Sequence, residues 1–385
     1  MTTLVHPSPT PLTRHDPRPG VRHLGPNWYA AVMGTAIVAS AGSALPLRAP
    51  GLRGAYEVVW ALAALGLLTL LTARAAHWLR HPDQARRHLA DPMVAPFYGC
   101  LAMALLSVGS VTLAVGSDLI GKDAAVAVDA VLWPAGTVIG LAAAAGIPYL
   151  MVTRHRIAVD GASPAWLLPI VAPMVSAATG PALVPHLPHG QWQEAMLLGC
   201  YALFGMSLLA TLLILPMVFA RLIHHGALPL ALTPALFLVL GPLGQSTTAV
   251  NNVADAAQGT AATSYAQAMT AFGVLYGTPV MGFALLWLAL ATAMVVRAFR
   301  RGMGFAMTWW AFTFPIGTCV TGAAALARHT GLHAFNGLAY GLYALLVAAW
   351  LVTAVCTLRG LVSGKLLAAP RPAPSAPVST TARTT

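Results

Sequence analysis

The sequence predicts an all-α integral membrane protein with ten membrane-spanning helices, and three observations carry that prediction. Hydrophobic residues make up 58% of the 385-residue chain and charged residues only 8%, against about 25% charged in soluble domains; mean hydropathy is +0.73. Ten stretches are apolar over roughly the 20 residues that cross a hydrocarbon core. The basic residues between them gather on alternate loops.

The spans are expected at 27–45, 54–78, 96–115, 124–152, 164–184, 193–219, 233–253, 268–296, 308–327 and 335–358. The odd-numbered spans are the shorter ones. The fourth, sixth and eighth are long enough to tilt or to project beyond the hydrocarbon. A faint repeat runs through the odd spans: PNWYAAVMGT opens the first, PAWLLPIVAP the fifth, TPALFLVLGP the seventh and TWWAFTFP the ninth. Each has an aromatic or small opening and a helix disruptor about two turns later.

Charge tests the count. With the N-terminus inside, four of the 21 Lys and Arg residues fall outside, namely Arg48, Arg53, Lys122 and Arg328. All the others fall inside, as the positive-inside rule requires. One span more or fewer would invert every later loop and spoil the asymmetry. Both termini are therefore expected in the cytoplasm, with the protein in a plasma membrane of the bacterial inner-membrane type. Residues 1–23 lack an apolar run and read as a disordered N-terminus without a cleavable signal. Residues 361–385, rich in Pro, Ser and Thr, read as a disordered tail. The ten-span core, the expected functional domain, is then 24–360.

Ionisable chemistry is scarce where a membrane protein would use it. All ten acids are expected in loops or within a turn or two of a helix end, and the histidines likewise lie near interfaces. Facing His pairs for haem and an HExxH helix are missing. His224, His225, His329 and His333 read as interfacial polar residues, with a metal site as the alternative. Cys100, Cys200, Cys319 and Cys356 sit in apolar stretches without a CxxC pair and read as small buried hydrophobes. No catalytic residue, cofactor or metal is expected, and the chain is not expected to be an enzyme.

The polarity that remains is neutral. It comprises Thr35, Ser40 and Ser43 in the first span, Ser107 and Ser110 in the third, Ser176 and Thr179 in the fifth, and Thr313, Thr318 and Thr321 in the ninth. The seventh is densest, with GPLGQSTTAVNN supplying Gly241, Pro242, Gly244, Gln245, Ser246, Thr247, Thr248, Asn251 and Asn252. Unpaired polar groups are costly when packed dry, so this helix is expected to line water or solute. In the ninth span, WWAFTFPIGT (309–318) carries Pro315 and Gly317 beside Phe312 and Phe314. A helix broken inside a bilayer must satisfy its freed backbone from protein or water. A bulky aromatic at such a break can act as a plug. Phe312 and Phe314 lie about 200° apart on a helix, so they cannot share a face.

PNWYAAVMGT, GPLGQS and above all WWAFTFPIGT resemble the tellurite-resistance/dicarboxylate transporter family. That family includes bacterial tellurite-resistance membrane proteins, fungal malate permeases and sulfite pumps, and plant slow anion channels. The resemblance covers roughly 24–360. It implies five helical hairpins around a pseudo-fivefold central pore, with odd helices inside and even helices outside, and a homotrimer with one pore per subunit. It also implies a pore-blocking phenylalanine, which the motif aligns with Phe314.

The expected pore lining is Gly34, Thr35, Ser107, Pro173, Ser176, Gly241, Pro242, Gly244, Ser246, Thr247, Asn251, Thr313, Pro315, Gly317 and Thr318. Partners are expected to be small anions and membrane lipid, not nucleic acid. Anion candidates are C4-dicarboxylates such as malate, sulfite, tellurite, nitrate and chloride. The want of a mid-membrane cation favours weak binding and channel-like efflux. A proton-coupled C4-dicarboxylate or sulfite carrier is the alternative, and a membrane-embedded redox or enzyme subunit a more distant one.

Overall fold

The computed structural model describes residues 22, 24–47, 49–364 and 366. The expected tails, 1–23 and 361–385, lie almost entirely outside the described residues. So do Arg14, Arg18, Arg48, Lys365, Arg371 and Arg383 of the charge pattern. The described chain is helical without a β-strand: α1 (Tyr29–Ser43), α2 (Leu52–Arg80), α3 (Pro82–Ala90), α4 (Tyr98–Val111), α5 (Ser117–Ile120), α6 (Lys122–Thr153), α7 (Leu167–Thr179), α8 (Gln191–His225), α9 (Leu240–Ala257), α10 (Thr263–Arg300), α11 (Phe314–Thr330) and α12 (His333–Val362).

Among the described residues, nine helical stretches are long and apolar enough to cross a membrane. The remaining expected span, the first (27–45), forms α1, whose 15 residues fall short of that length. The nine divide into two kinds. The stretches containing α4, α7, α9 and α11 are 78–94% buried over their most apolar windows, whereas α2, α6, α8, α10 and α12 are only 17–28% buried. Helices apolar all round belong inside a bundle or against lipid. Here α4, α7, α9 and α11, joined by the largely buried α1, take the first place, and the longer helices take the second. The longest, α10, has 38 residues, about 57 Å at 1.5 Å per residue. It exceeds the roughly 30 Å hydrocarbon and must tilt or project.

Contacts between the inner helices close on themselves. α1 packs on α4, α4 on α7, α7 on α9, α9 on α11, and α11 back on α1. Each inner helix also packs on the outer helix that follows it: α1 on α2, α4 on α6, α7 on α8, α9 on α10 and α11 on α12.

The repeat seen in the odd spans has a structural form. Every inner helix is entered through a 3₁₀ segment: Pro26–Trp28, Ala95–Phe97, Pro164–Trp166, Leu230–Val239 and Met307–Phe312. A proline early in three of these leaves no N–H to satisfy in a first turn that has no partner for it. The helical stretch that contains α4 also runs on past 115, to Ile120. A π-turn, Thr112–Gly116, joins α4 to α5. The widened turn packs Gly116 against the Trp60 ring. Thr112 Oγ1 there accepts from Trp60 Nε1 at 2.8 Å and donates to Val108 O at 2.7 Å.

Candidate functional site

A cavity of about 280 Å³ lies among the inner helices and takes wall from all five. α1 contributes Ile37, Ser40, Ser43 and Ala44; α4 and its π-turn contribute Ser107, Ser110 and Ala114; α7 contributes Val175, Ala178 and Thr179; α9 contributes Gln245, Thr248 and Asn252; α11 contributes Phe314, Thr321 and Arg328. These residues recur at three-, four- and seven-residue steps, the mark of one helical face. Ser40, Ser107, Ser110 and Gln245 make no side-chain hydrogen bond to protein. Thr248 and Thr321 join their hydroxyls across α9 and α11 at 2.7 Å. Asn252 Nδ2 donates to Ala178 O at 2.8 Å.

Beyond Phe314 the character changes. A second void of about 10 Å³ is lined by Met33, Met103, Leu167, Leu168, Val171, Leu238, Gly241, Pro315 and Phe314 itself. It has room for about one water and offers that water no polar side chain. Phe314 lines both spaces and is only 2% exposed. The polar cavity therefore ends at this ring, with an apolar neck on its far side.

The helix break that presents Phe314 sits slightly earlier than the sequence indicated. The 3₁₀ segment ends at Phe312, and Thr313 turns the chain with φ −95° and ψ −76°. α11 then starts at Phe314, with Pro315 in its first turn. Thr313 satisfies Trp310 O through both its amide, at 3.2 Å, and its hydroxyl, at 2.8 Å. Phe312 points elsewhere. It meets Phe237 edge-on at 4.9 Å and lies 6.0 Å from Trp309.

Of the other residues expected at the pore, Ser107 lines the large cavity and Gly241 and Pro315 the small void. Most of the rest meet neighbouring helices. Thr35 Oγ1 accepts from Trp350 Nε1 of α12 at 3.1 Å. Ser176 Oγ accepts from Thr137 Oγ1 of α6 at 2.9 Å. Thr247 faces Gly277, and Asn251 faces Gly273, both on α10. Gly34 lies against Thr313 and Trp310, and Gly317 against Ile37. Gly244 lies against backbone, since a Cβ there would stand 2.5 Å from Cys319 N. Thr318 Oγ1 donates to Pro315 O at 2.7 Å. Ser246 Oγ donates to Leu243 O at 3.0 Å. Pro173 and Pro242 are buried in α7 and α9 and line neither space.

The acids depart from expectation at one position. Asp129, seven residues into α6, is fully buried rather than interfacial, and neither carboxyl oxygen has a hydrogen-bond partner. It packs against Gly109 of α4, next to the cavity residue Ser110. Its apparent nearness to the helix end misleads because α5 and the π-turn of α4 extend the bundle over this part of α6. Arg74 is likewise buried, donating to Leu24 O at 2.6 Å and Tyr98 Oη at 3.2 Å. The four cysteines are free, and Cys100, Cys200 and Cys319 are buried. Among the described residues no group of three His, Cys, Asp or Glu side chains converges on a possible metal position.

The SLAC1 voltage-dependent anion channel family matches residues 23–358. Similar proteins include an uncharacterized transporter of Methanocaldococcus jannaschii, 26% identical over 90% of this chain and 97% of its own. A sulfite efflux pump of Arthroderma otae is 27% identical over 89% of this chain and 92% of its own. The malic acid transport protein of Schizosaccharomyces pombe is 23% identical over 77% of this chain and 68% of its own.

Proposed function

The chain belongs to the SLAC1 voltage-dependent anion channel family, and we propose that it carries small anions across a membrane along the central cavity, with Phe314 as the gate. The observation that carries this reading is the polar cavity ending at one aromatic ring. The proposed path runs down a pseudo-fivefold ring of α1, α4, α7, α9 and α11. In this arrangement α1 completes the ten spans, its short length offset by burial among the other four.

Channel-like efflux fits a wall of hydroxyls and amides. Such groups replace part of an anion's hydration without holding it tightly. With the cell interior negative, the membrane potential favours anion exit by about 2.3 kcal/mol per charge per 100 mV. The names of the relatives make sulfite and malate the first anions to try, with tellurite, nitrate and chloride beside them. The apolar outer faces of α2, α6, α8, α10 and α12 suit lipid and the contacts of a homotrimer. The charge asymmetry supports a reading with both termini cytoplasmic, in a bacterial-type plasma membrane.

Asp129 favours a second reading, a proton-coupled carrier, because an unpartnered carboxyl inside a membrane is the usual mark of a proton site. The deciding experiment is a flux panel in proteoliposomes across sulfite, malate, tellurite, nitrate and chloride at several pH values. Anion flux that follows the imposed voltage without moving protons supports the channel. Flux that acidifies the lumen supports the carrier. Absence of flux for every anion sinks both.

A further inference from the structure

Building on the anion path proposed above, we propose that Arg328 recruits and selects the anion at the end of the central cavity away from Phe314, with Asp255 as the counter-charge that tempers it. Among the described residues that line the cavity, Arg328 is the only charged one. It stands on the same stripe of α11 as Thr321 and Phe314, at successive seven-residue steps. Fourteen residues of α-helix put it about 21 Å from the Phe314 ring. The cavity thus has an aromatic ring at one end and a guanidinium at the other.

The guanidinium is held from one side. Its Nη2 lies 3.0 Å from Asp255 Oδ2, while His329 Nε2 lies 2.6 Å from Asp255 Oδ1. Two successive residues of α11 thus engage both oxygens of one carboxylate on α9. Neither Asp255 nor His329 lines the cavity. The remaining donors of Arg328, Nε and Nη1, have no partner among the described residues. Ser40, Ser110 and Gln245 line the same space with their polar groups unpaired.

The ligand class this arrangement takes is a small, hydrated anion. Charge attracts it at Arg328, and hydroxyl and amide donors then replace part of its water. Conduction needs attraction that is weak enough to release. A half-exposed guanidinium partly cancelled by a carboxylate meets that need, because its field is screened by solvent and salt.

The magnitude can be bounded. One unit charge about 7 Å away in a watery mouth changes the local anion concentration on the order of threefold, and more where the walls exclude water. Initial rates of chloride and sulfite flux into proteoliposomes, at low and high ionic strength, provide the test. Arg328→Gln should slow flux about threefold or more at low ionic strength, with the gap closing at high salt. Asp255→Asn should speed it by a similar factor, and Arg328→Lys should stay near wild type.

Equal flux in wild type, Arg328→Gln and Asp255→Asn would overturn the assignment while leaving the anion path standing. Arg328→Lys slowed as much as Arg328→Gln, with no salt dependence, would overturn it in favour of a packing role. Absence of wild-type flux for either ion would remove the path and this assignment together.

Discussion

Replacing Phe314 with alanine tests the proposed gate directly. The ring separates a polar cavity of about 280 Å³ from an apolar void of about 10 Å³. For an anion to pass, the ring must leave that position. Two costs oppose this. Driving a side chain off its rotamer takes about 0.5–1.5 kcal/mol. Stripping its packing on the apolar side takes about 1–1.5 kcal/mol, half of what full burial of a Phe contributes. Together they make about 1.5–3 kcal/mol, which places the open state below about a tenth of the population. At 1.36 kcal/mol per tenfold, Phe314→Ala should raise flux about 10- to 150-fold.

The assay is anion efflux from proteoliposomes, normalised to folded protein by size-exclusion chromatography. Phe312→Ala is the paired control. It loses the edge-on contact with Phe237 and the neighbouring Trp309, so it should cost about 3–5 kcal/mol of stability with flux per folded molecule unchanged. Wild-type flux from a well-folded Phe314→Ala protein would refute the gate. Equal acceleration by both variants would show a loosened bundle rather than an opened path.

Three further outcomes follow from the same geometry. Gln245→Leu removes an unpaired amide from the cavity wall and should slow anion flux about three- to tenfold, given the strength of hydrogen bonds to charged groups. Thr247→Val, one helical face away against Gly277, should leave flux alone; equal flux effects from both would contradict the facing described. Gly244→Ala would place a methyl 2.5 Å from Cys319 N, which backbone cannot yield to. It should cost more than about 3 kcal/mol and appear as loss of the monodisperse peak, whereas a wild-type melting temperature would contradict the close α9–α11 contact. Asp129→Asn should hold or raise the melting temperature, because an ionised carboxylate without a partner is costly at that depth; a large fall would mean that Asp129 has a partner in the membrane.

Much of the fold was legible because the bilayer imposes simple rules on sequence. Length and apolarity located all nine span-length stretches found among the described residues, and the expected stretch 27–45 coincides with α1, which is shorter than a span. The division into inner and outer helices came from the family resemblance, whereas apolarity alone offered no such distinction. α10 and α11 are both apolar, yet one faces outward over most of its length and the other is nearly all buried. What sets them apart is visible only after folding. The small α9 residue Gly244 lets α11 approach closely, and Trp287 of α10 reaches in to donate to Leu236 O at 2.9 Å.

The site was legible by residue type but not by face. Treating GPLGQSTTAVNN as one polar segment makes the whole helix a solute lining, and the pore residues named from it are Gly241, Pro242, Gly244, Ser246, Thr247 and Asn251. Of the segment, however, the cavity takes Gln245, Thr248 and Asn252, at i, i+3 and i+7. The same spacing links Ser40 with Ser43, Ser107 with Ser110, and Phe314 with Thr321 and Arg328. Stepping each inner helix by three, four and seven from its best-placed residue would have recovered this lining from sequence. It would also have brought Arg328 into the cavity instead of leaving it among the outer loop charges. The reason is physical: in a ring of helices, the face toward the axis is the one surface that touches neither protein nor lipid. Polar side chains concentrate there and leave the flanking hydroxyls, such as Thr35 and Ser176, to join inner helices to outer ones.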